Sequence, residues 1–120
     1  MKYLILIHMN PANWEALPEA ERDRLMGLHD GFQKMITDSG ELISTVALAD
    51  PTNSAVVRVH DGAPAVTDGP YVEAKEYMAG YYLVDCETRQ RAIELAGQIP
   101  DAHINAMEVR PNMFAGGMEM

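Results

Sequence analysis

The stretch from Lys2 to His8 is an almost unbroken apolar run of strand length that stops at the Asn10-Pro11 breaker. A strand with one wet face would alternate, so an unbroken run predicts a strand covered on both faces. From Pro18 to Asp38 the period changes, with Leu25, Leu28, Phe32, Met35 and Ile36 falling at helical spacings. Pro18 suits a first helical turn, Glu19, Glu21 and Asp23 suit the positive end of the helix dipole, and Gly40 supplies a stop. This segment is predicted to be an amphipathic helix. Glu41 to Leu48 and Ser54 to His60 are β-branched segments joined by Ala49-Asp50-Pro51-Thr52-Asn53, and they read as a hairpin. After an Asp61-Gly62-Ala63-Pro64 turn, Tyr77 to Asp85 reads as a strand and Glu87 to Ile99 as a helix with Ala92, Ile93, Ala96 and Ile99 facing in. Pro100 ends that helix, and His103 to Arg110 supplies a last strand.

The order β-α-β-β-β-α-β predicts an α+β fold: a ferredoxin-like sandwich whose antiparallel sheet carries two helices on one face, with one additional strand in the middle. Residues 1–110 form its single domain, and the Gly- and Met-rich stretch 111–120, with Met113, Met118 and Met120, is expected to be a flexible tail. In the first strand Tyr3, Ile5 and Ile7 lie opposite Leu4 and Leu6 in face, so helices on one side leave apolar residues on the other. Because large bare apolar patches are rare on soluble monomers, a homodimer is expected to cover that face.

Composition narrows the function classes. The 120 residues hold 18 acidic against 9 basic side chains, a net charge of −9 that repels nucleic acid and anionic membranes unless cations cluster. Here they are scattered, so direct nucleic-acid binding is not expected. Leu4 to Ile7 is too short to span a bilayer and no small-residue cleavage pattern follows it. Cys86 is the sole cysteine, which rules out an intrachain disulfide and a multi-cysteine zinc site. A cytoplasmic setting with no membrane association is expected. His8, His29, His60 and His103 lack metal-site spacing, and Gly69, Gly80 and Gly116-Gly117 match no nucleotide-binding loop. Neither a metal nor another cofactor is therefore expected.

The densest chemistry is the stretch Thr67-Asp68-Gly69-Pro70-Tyr71-Val72-Glu73-Ala74-Lys75-Glu76, which feeds directly into the Tyr77 strand. Gly69 tolerates positive φ and Pro70 has a fixed φ and no N–H, so the pair marks a bend ringed by ionisable groups. Together with Val66 before it and Gly80-Tyr81-Tyr82-Leu83 after it, this motif resembles the DGPF branch of the YCII-related family, with Tyr71 at the usual Phe position. The likeness runs from the Tyr-Leu-Ile-Leu-Ile start to Met107-Glu108-Val109-Arg110-Pro111.

The resemblance implies a dimeric α+β barrel of ferredoxin-like subunits and a His–Asp pair in a pocket near the dimer interface. Some relatives resemble small-molecule lyases acting on ring compounds, and DGPF members are discussed beside transcription sigma factors. Matching the first helix by its distance to Gly40 puts the family histidine on His29 and an upstream arginine on Arg22. A second family arginine falls on Met26, and the acidic residue expected after the first strand is replaced by His8-Met9-Asn10. A His–Asp pair then requires Asp68 to supply the carboxylate.

Read from the residues themselves, His29 sits at the rim of the apolar helix face. It is either an acid–base group or a half-buried histidine without chemistry. Asp68 is either its orienting carboxylate or a turn-forming aspartate. Lys75 and Arg22 offer charge to an anionic ligand, Glu73 and Glu76 offer bases, and the bland alternative is a solvated charged edge. Tyr71, Tyr77, Tyr81 and Tyr82 supply aromatic walls with polar tips that suit a pocket lining or, as the blander reading, a core or dimer interface, and His8, on the Leu4/Leu6 strand face, enters the interior or a dimer groove. The candidate catalytic residues are thus His29 and Asp68, with Arg22, Tyr71, Glu73, Lys75, Glu76 and His8 as candidate ligand contacts. Two functions fit: a small-molecule binder with cofactor-free lyase- or isomerase-like acid–base chemistry, or a non-enzymatic dimeric regulatory module in sigma-factor-linked transcription control.

Overall fold

A computed structural model describes residues 1–72 and 74–117 of the chain. Its elements are β1 (Lys2–Met9), α1 (Pro11–Glu15), α2 (Glu19–Asp38), β2 (Leu42–Ala47), a 3-10 turn (Pro51–Asn53), β3 (Ala55–His60), β4 (Ala63–Asp68), β5 (Tyr77–Asp85), α3 (Arg89–Gln98) and β6 (Ala106–Pro111). Four strands make one antiparallel sheet in the order β2-β5-β1-β6, and β3 and β4 make a separate two-stranded ribbon. The fold is α+β with three helices and an antiparallel sheet, consistent with a ferredoxin-like arrangement into which the ribbon is inserted between β2 and β5.

Alternation along the strands decides which face meets the helices. Tyr3 and Ile5 of β1 and Tyr82 and Val84 of β5 join Phe32 and Ile36 of α2 and Ala92, Leu95 and Ala96 of α3 in one buried cluster. Each large aliphatic side chain so removed from water contributes roughly 1.5–3 kcal/mol. The inward stripe of α2 is Leu25, His29, Phe32 and Ile36, at spacings of four, three and four residues, whereas Leu28 and Met35 are turned outward and exposed. Helix α2 ends at Gly40, whose φ of +80° lets the Glu41 N–H reach the Ile36 carbonyl at 2.9 Å and the Gly40 N–H reach that of Thr37 at 3.0 Å. Helix α3 starts at Thr88, whose hydroxyl accepts from the Arg91 N–H at 3.1 Å.

Several expected elements differ. Ala55–His60 pairs with Ala63–Asp68 and not with Leu42–Ala47, because Asp61 and Gly62 both take positive φ, at 51° and 80°. Two left-handed residues in a two-residue loop match the twist of a tight hairpin, so this Asp-Gly closes the ribbon. Helix α1 was not expected. Asn10 caps it through its side-chain oxygen, which accepts from the Ala12 and Asn13 N–H groups at 3.0 and 3.4 Å, and Pro11 occupies its first turn. The last strand begins at Ala106 rather than His103, since Asp101 to Ile104 are taken up by a turn, and it continues through Pro111. Beyond it the Asn112 N–H still bonds the Lys2 carbonyl at 3.0 Å, while Met118 and Met120 lie outside the described residues. Among the described residues no helix is long and apolar enough to cross a membrane.

Candidate functional site

His29 is the one polar residue on the inward stripe of α2, and both of its ring nitrogens are engaged. Nε2 lies 2.7 Å from Asp101 Oδ1, and Nδ1 lies 2.7 Å from the Tyr82 hydroxyl. An ionised carboxylate only accepts, so Nε2 carries a proton and donates to Asp101; in the neutral ring Nδ1 then accepts from Tyr82. Gln33, one helical turn after His29, donates from its amide to the Tyr82 oxygen at 3.4 Å. The imidazole and phenol planes are parallel within 3°, and Phe32 packs edge-on against the Tyr82 ring at 5.1 Å. These contacts fix both partners.

Asp101 is itself held. It is 4% exposed, and its second oxygen accepts from Asn105 Nδ2 at 2.7 Å. Asn105, also buried, accepts in turn from the Asn10 N–H at 3.1 Å, tying the carboxylate to the end of β1. Burial pushes the Asp101 carboxyl up, but hydrogen bonds from His29 and Asn105 together with the charge of His29 outweigh it, leaving the group below its ordinary range. Burial raises the Tyr82 phenol, an effect that Gln33 partly offsets, so the hydroxyl keeps its proton at neutral pH.

The chain Asn105–Asp101–His29–Tyr82–Gln33 ends at a cavity of about 160 Å³ between α2 and the β2–β5 edge of the sheet. Its walls are mostly apolar, with Leu25, Ile7, Val46, Ala79 and Trp14 among them, and its polar atoms come from His29, Gln33, Thr45, Tyr82 and Asp101. Gly80 lets β2 and β5 approach closely where they wall the cavity. A Cβ at that position would collide with the Val46 carbonyl oxygen and lie 3.2 Å from Ala47 Cα.

The other candidate residues do not gather around His29. Asp68 stands at the exposed end of β4, opposite Ala55 on the ribbon, and does not line the cavity; the carboxylate facing His29 is Asp101. Gly69 does not need positive φ. A Cβ there would approach Ser54 Cβ to 2.5 Å, so close contact is what demands glycine. Tyr71 and Glu76 line a second, wider recess of about 600 Å³ with Asp50, Pro51 and Tyr77, and the Arg58 guanidinium sits 5.5 Å over the Tyr71 ring. Lys75 is exposed and lines neither recess, and Glu73 lies outside the described residues. Arg22 is half-buried on α2 two turns before His29 and does not line the cavity. His8 points from the opposite sheet face, where its Nε2 meets Glu108 Oε1 at 2.8 Å. Among the described residues no three His, Cys, Asp or Glu side chains gather as metal ligands.

Asp101 and Gln33 were missed as site residues, and Tyr82, one of four tyrosines open to a pocket or a dimer core, reads from the sequence as core or interface. Asp101 follows the helix-ending Pro100 and has Asn105 four positions on, a pair of polar residues one helical turn apart. That pairing is the only local signal, because the approach to His29 spans 72 residues of sequence.

The YCII-related domain matches residues 1–113 of the chain. An uncharacterized protein of Rhizobium meliloti (strain 1021) is 30% identical over 113 residues, which is 92% of this chain and 91% of the relative.

Proposed function

Because the chain belongs to the YCII-related domain family, we propose that its pocket binds a small molecule and performs cofactor-free acid–base chemistry of the lyase or isomerase kind through Tyr82, His29 and Asp101. The observation that carries this is the double engagement of His29: with both nitrogens occupied, the atom offered to a ligand is the Tyr82 oxygen. When Tyr82 takes a proton from a bound C–H or O–H acid, its own proton passes to His29 Nδ1. The resulting imidazolium faces the Asp101 carboxylate, and Gln33 stabilises any negative charge on the phenol oxygen. The reverse transfer delivers a proton to the product, so the cycle needs no added group.

The finer assignments belong to the same proposal. The signature around Gly69-Pro70 supports the DGPF branch, and a cytoplasmic homodimer of the dimeric α+β barrel type suits the chain's exposed apolar surface. Val57, Val59 and Val66 of the ribbon are 58–66% exposed, and Val46, Leu48 and Met78 at the β2–β5 end are also uncovered.

Deuterium uptake next to the carbonyl of cyclohexanone in D₂O tests the chemistry. Wild-type protein is expected to exceed the buffer rate, with Tyr82→Phe and His29→Ala lowering the excess about 100-fold or more and Asp68→Asn leaving it unchanged. An excess rate equal in Tyr82→Phe and wild type would contradict the relay.

A further inference from the structure

We infer that the cavity selects a neutral ring of benzene size bearing one oxygen, and discriminates against anions and cations of the same size; this rests on the pocket being the ligand site. Volume sets the size. At about 160 Å³ the cavity falls below the usual 300–1,000 Å³ of drug-sized sites. It is close to the roughly 150 Å³ of an engineered apolar cavity that takes up benzene. Wall chemistry sets the ring. Ile7, Leu25, Val46 and Ala79 offer no hydrogen bonds, and Trp14 offers a flat aromatic surface.

Charge sets the class. No lysine or arginine lines the cavity among the described residues, so an entering carboxylate or phosphate would lose its hydration without gaining a counter-charge. It would also meet the Asp101 carboxylate at the polar end and a chain of net charge −9. A cation fares little better. Asp101 has one oxygen committed to His29 and the other to Asn105, so neither is turned to an ammonium group. What remains for a ligand is the Tyr82 oxygen, with the Gln33 amide beside it, and the Thr45 hydroxyl oxygen, whose proton goes to the Tyr81 carbonyl. A phenol satisfies the Tyr82–Gln33 pair with one oxygen, donating its proton to the Tyr82 oxygen and accepting from the Gln33 amide, while its ring fills the apolar part.

Trp14 is the only tryptophan, so its emission reports occupancy directly. Phenol, benzoate and benzylammonium are titrated into full-length protein at neutral pH. Phenol is expected to give a saturable change, with both ions binding about tenfold or more weakly, a difference of about 1.4 kcal/mol. Met26→Lys, at a position 58% exposed on the cavity wall, keeps the fold and is expected to bring benzoate level with phenol. Benzoate binding wild type as tightly as phenol would overturn the neutral class while leaving the pocket as the ligand site. No response to any probe, with cyclohexanone exchange still dependent on Tyr82, would also overturn the class alone. No response and no exchange would remove the pocket reading together with it.

Discussion

A buried acid and a half-buried one are held ionised by different means. Asp101 is kept by two neutral-capable donors, whereas Glu41 is kept by a guanidinium: Arg91 donates to its two oxygens at 2.8 and 2.9 Å and Ser39 adds a bond at 2.7 Å. The Arg91 bonds outweigh burial and hold the Glu41 carboxyl at about 2 against an ordinary 4.5. A depressed carboxyl binds fewer protons in the folded chain than in the unfolded one, so its stabilisation is complete above 4.5 and is lost as pH falls toward 2. Glu41→Gln should cost about 1–2 kcal/mol in urea unfolding at neutral pH. The loss should shrink between pH 4.5 and 2; a penalty that stays constant through that window would mean that Glu41 titrates normally. The same salt bridge closes over Cys86, where burial and then the Glu41 charge push the thiol up to about 11.

At the scale of elements, the β2–β5 pair shapes the cavity. Gly80→Ala places a methyl against the Val46 carbonyl, so β2 must shift or β5 must bend. We expect a loss of about 1–3 kcal/mol in unfolding free energy together with weakened phenol binding. Full stability in the variant would show that the two strands are not in such close contact. The elements that carry the core were legible because each follows a single period: β1 as an apolar run, α2 as a stripe, β5 as a run after a bend. The ribbon was misread because β-branched segments 41–48 and 54–60 fit a hairpin by composition, while the decisive signal was the two-residue Asp61-Gly62 turn. Helix α1 was too short for periodicity and announced itself only by its Asn10-Pro11 cap. His29 was legible from helical phase. Its partner was not, since Asp101 arrives through tertiary packing of the α3–β6 turn, which no local pattern encodes.

The molecule as a whole is broader than its length implies. Its radius of gyration is 16.3 Å, against about 13.6 Å for a compact chain of this size, and the β3–β4 ribbon is packed chiefly on itself. Val57 and Val66 are cross-strand neighbours on one exposed face of that ribbon. A two-stranded ribbon is marginal alone, and in the proposed homodimer a second copy of the chain covers it. Light scattering at micromolar concentration should return twice the 13.3 kDa chain mass, and Val57→Lys should weaken the dimer about tenfold to a hundredfold. A wild-type mass of one chain would contradict the dimer. The proposed chemistry depends throughout on His29 facing Asp101. The most direct measurement is the two-bond ¹H–¹⁵N correlation of the neutral His29 ring in wild type, Asp101→Asn and Asp68→Asn. The predicted result is the Nε2–H tautomer in wild type and Asp68→Asn and a changed tautomer balance in Asp101→Asn. A ring that responds to Asp68→Asn and ignores Asp101→Asn would contradict it.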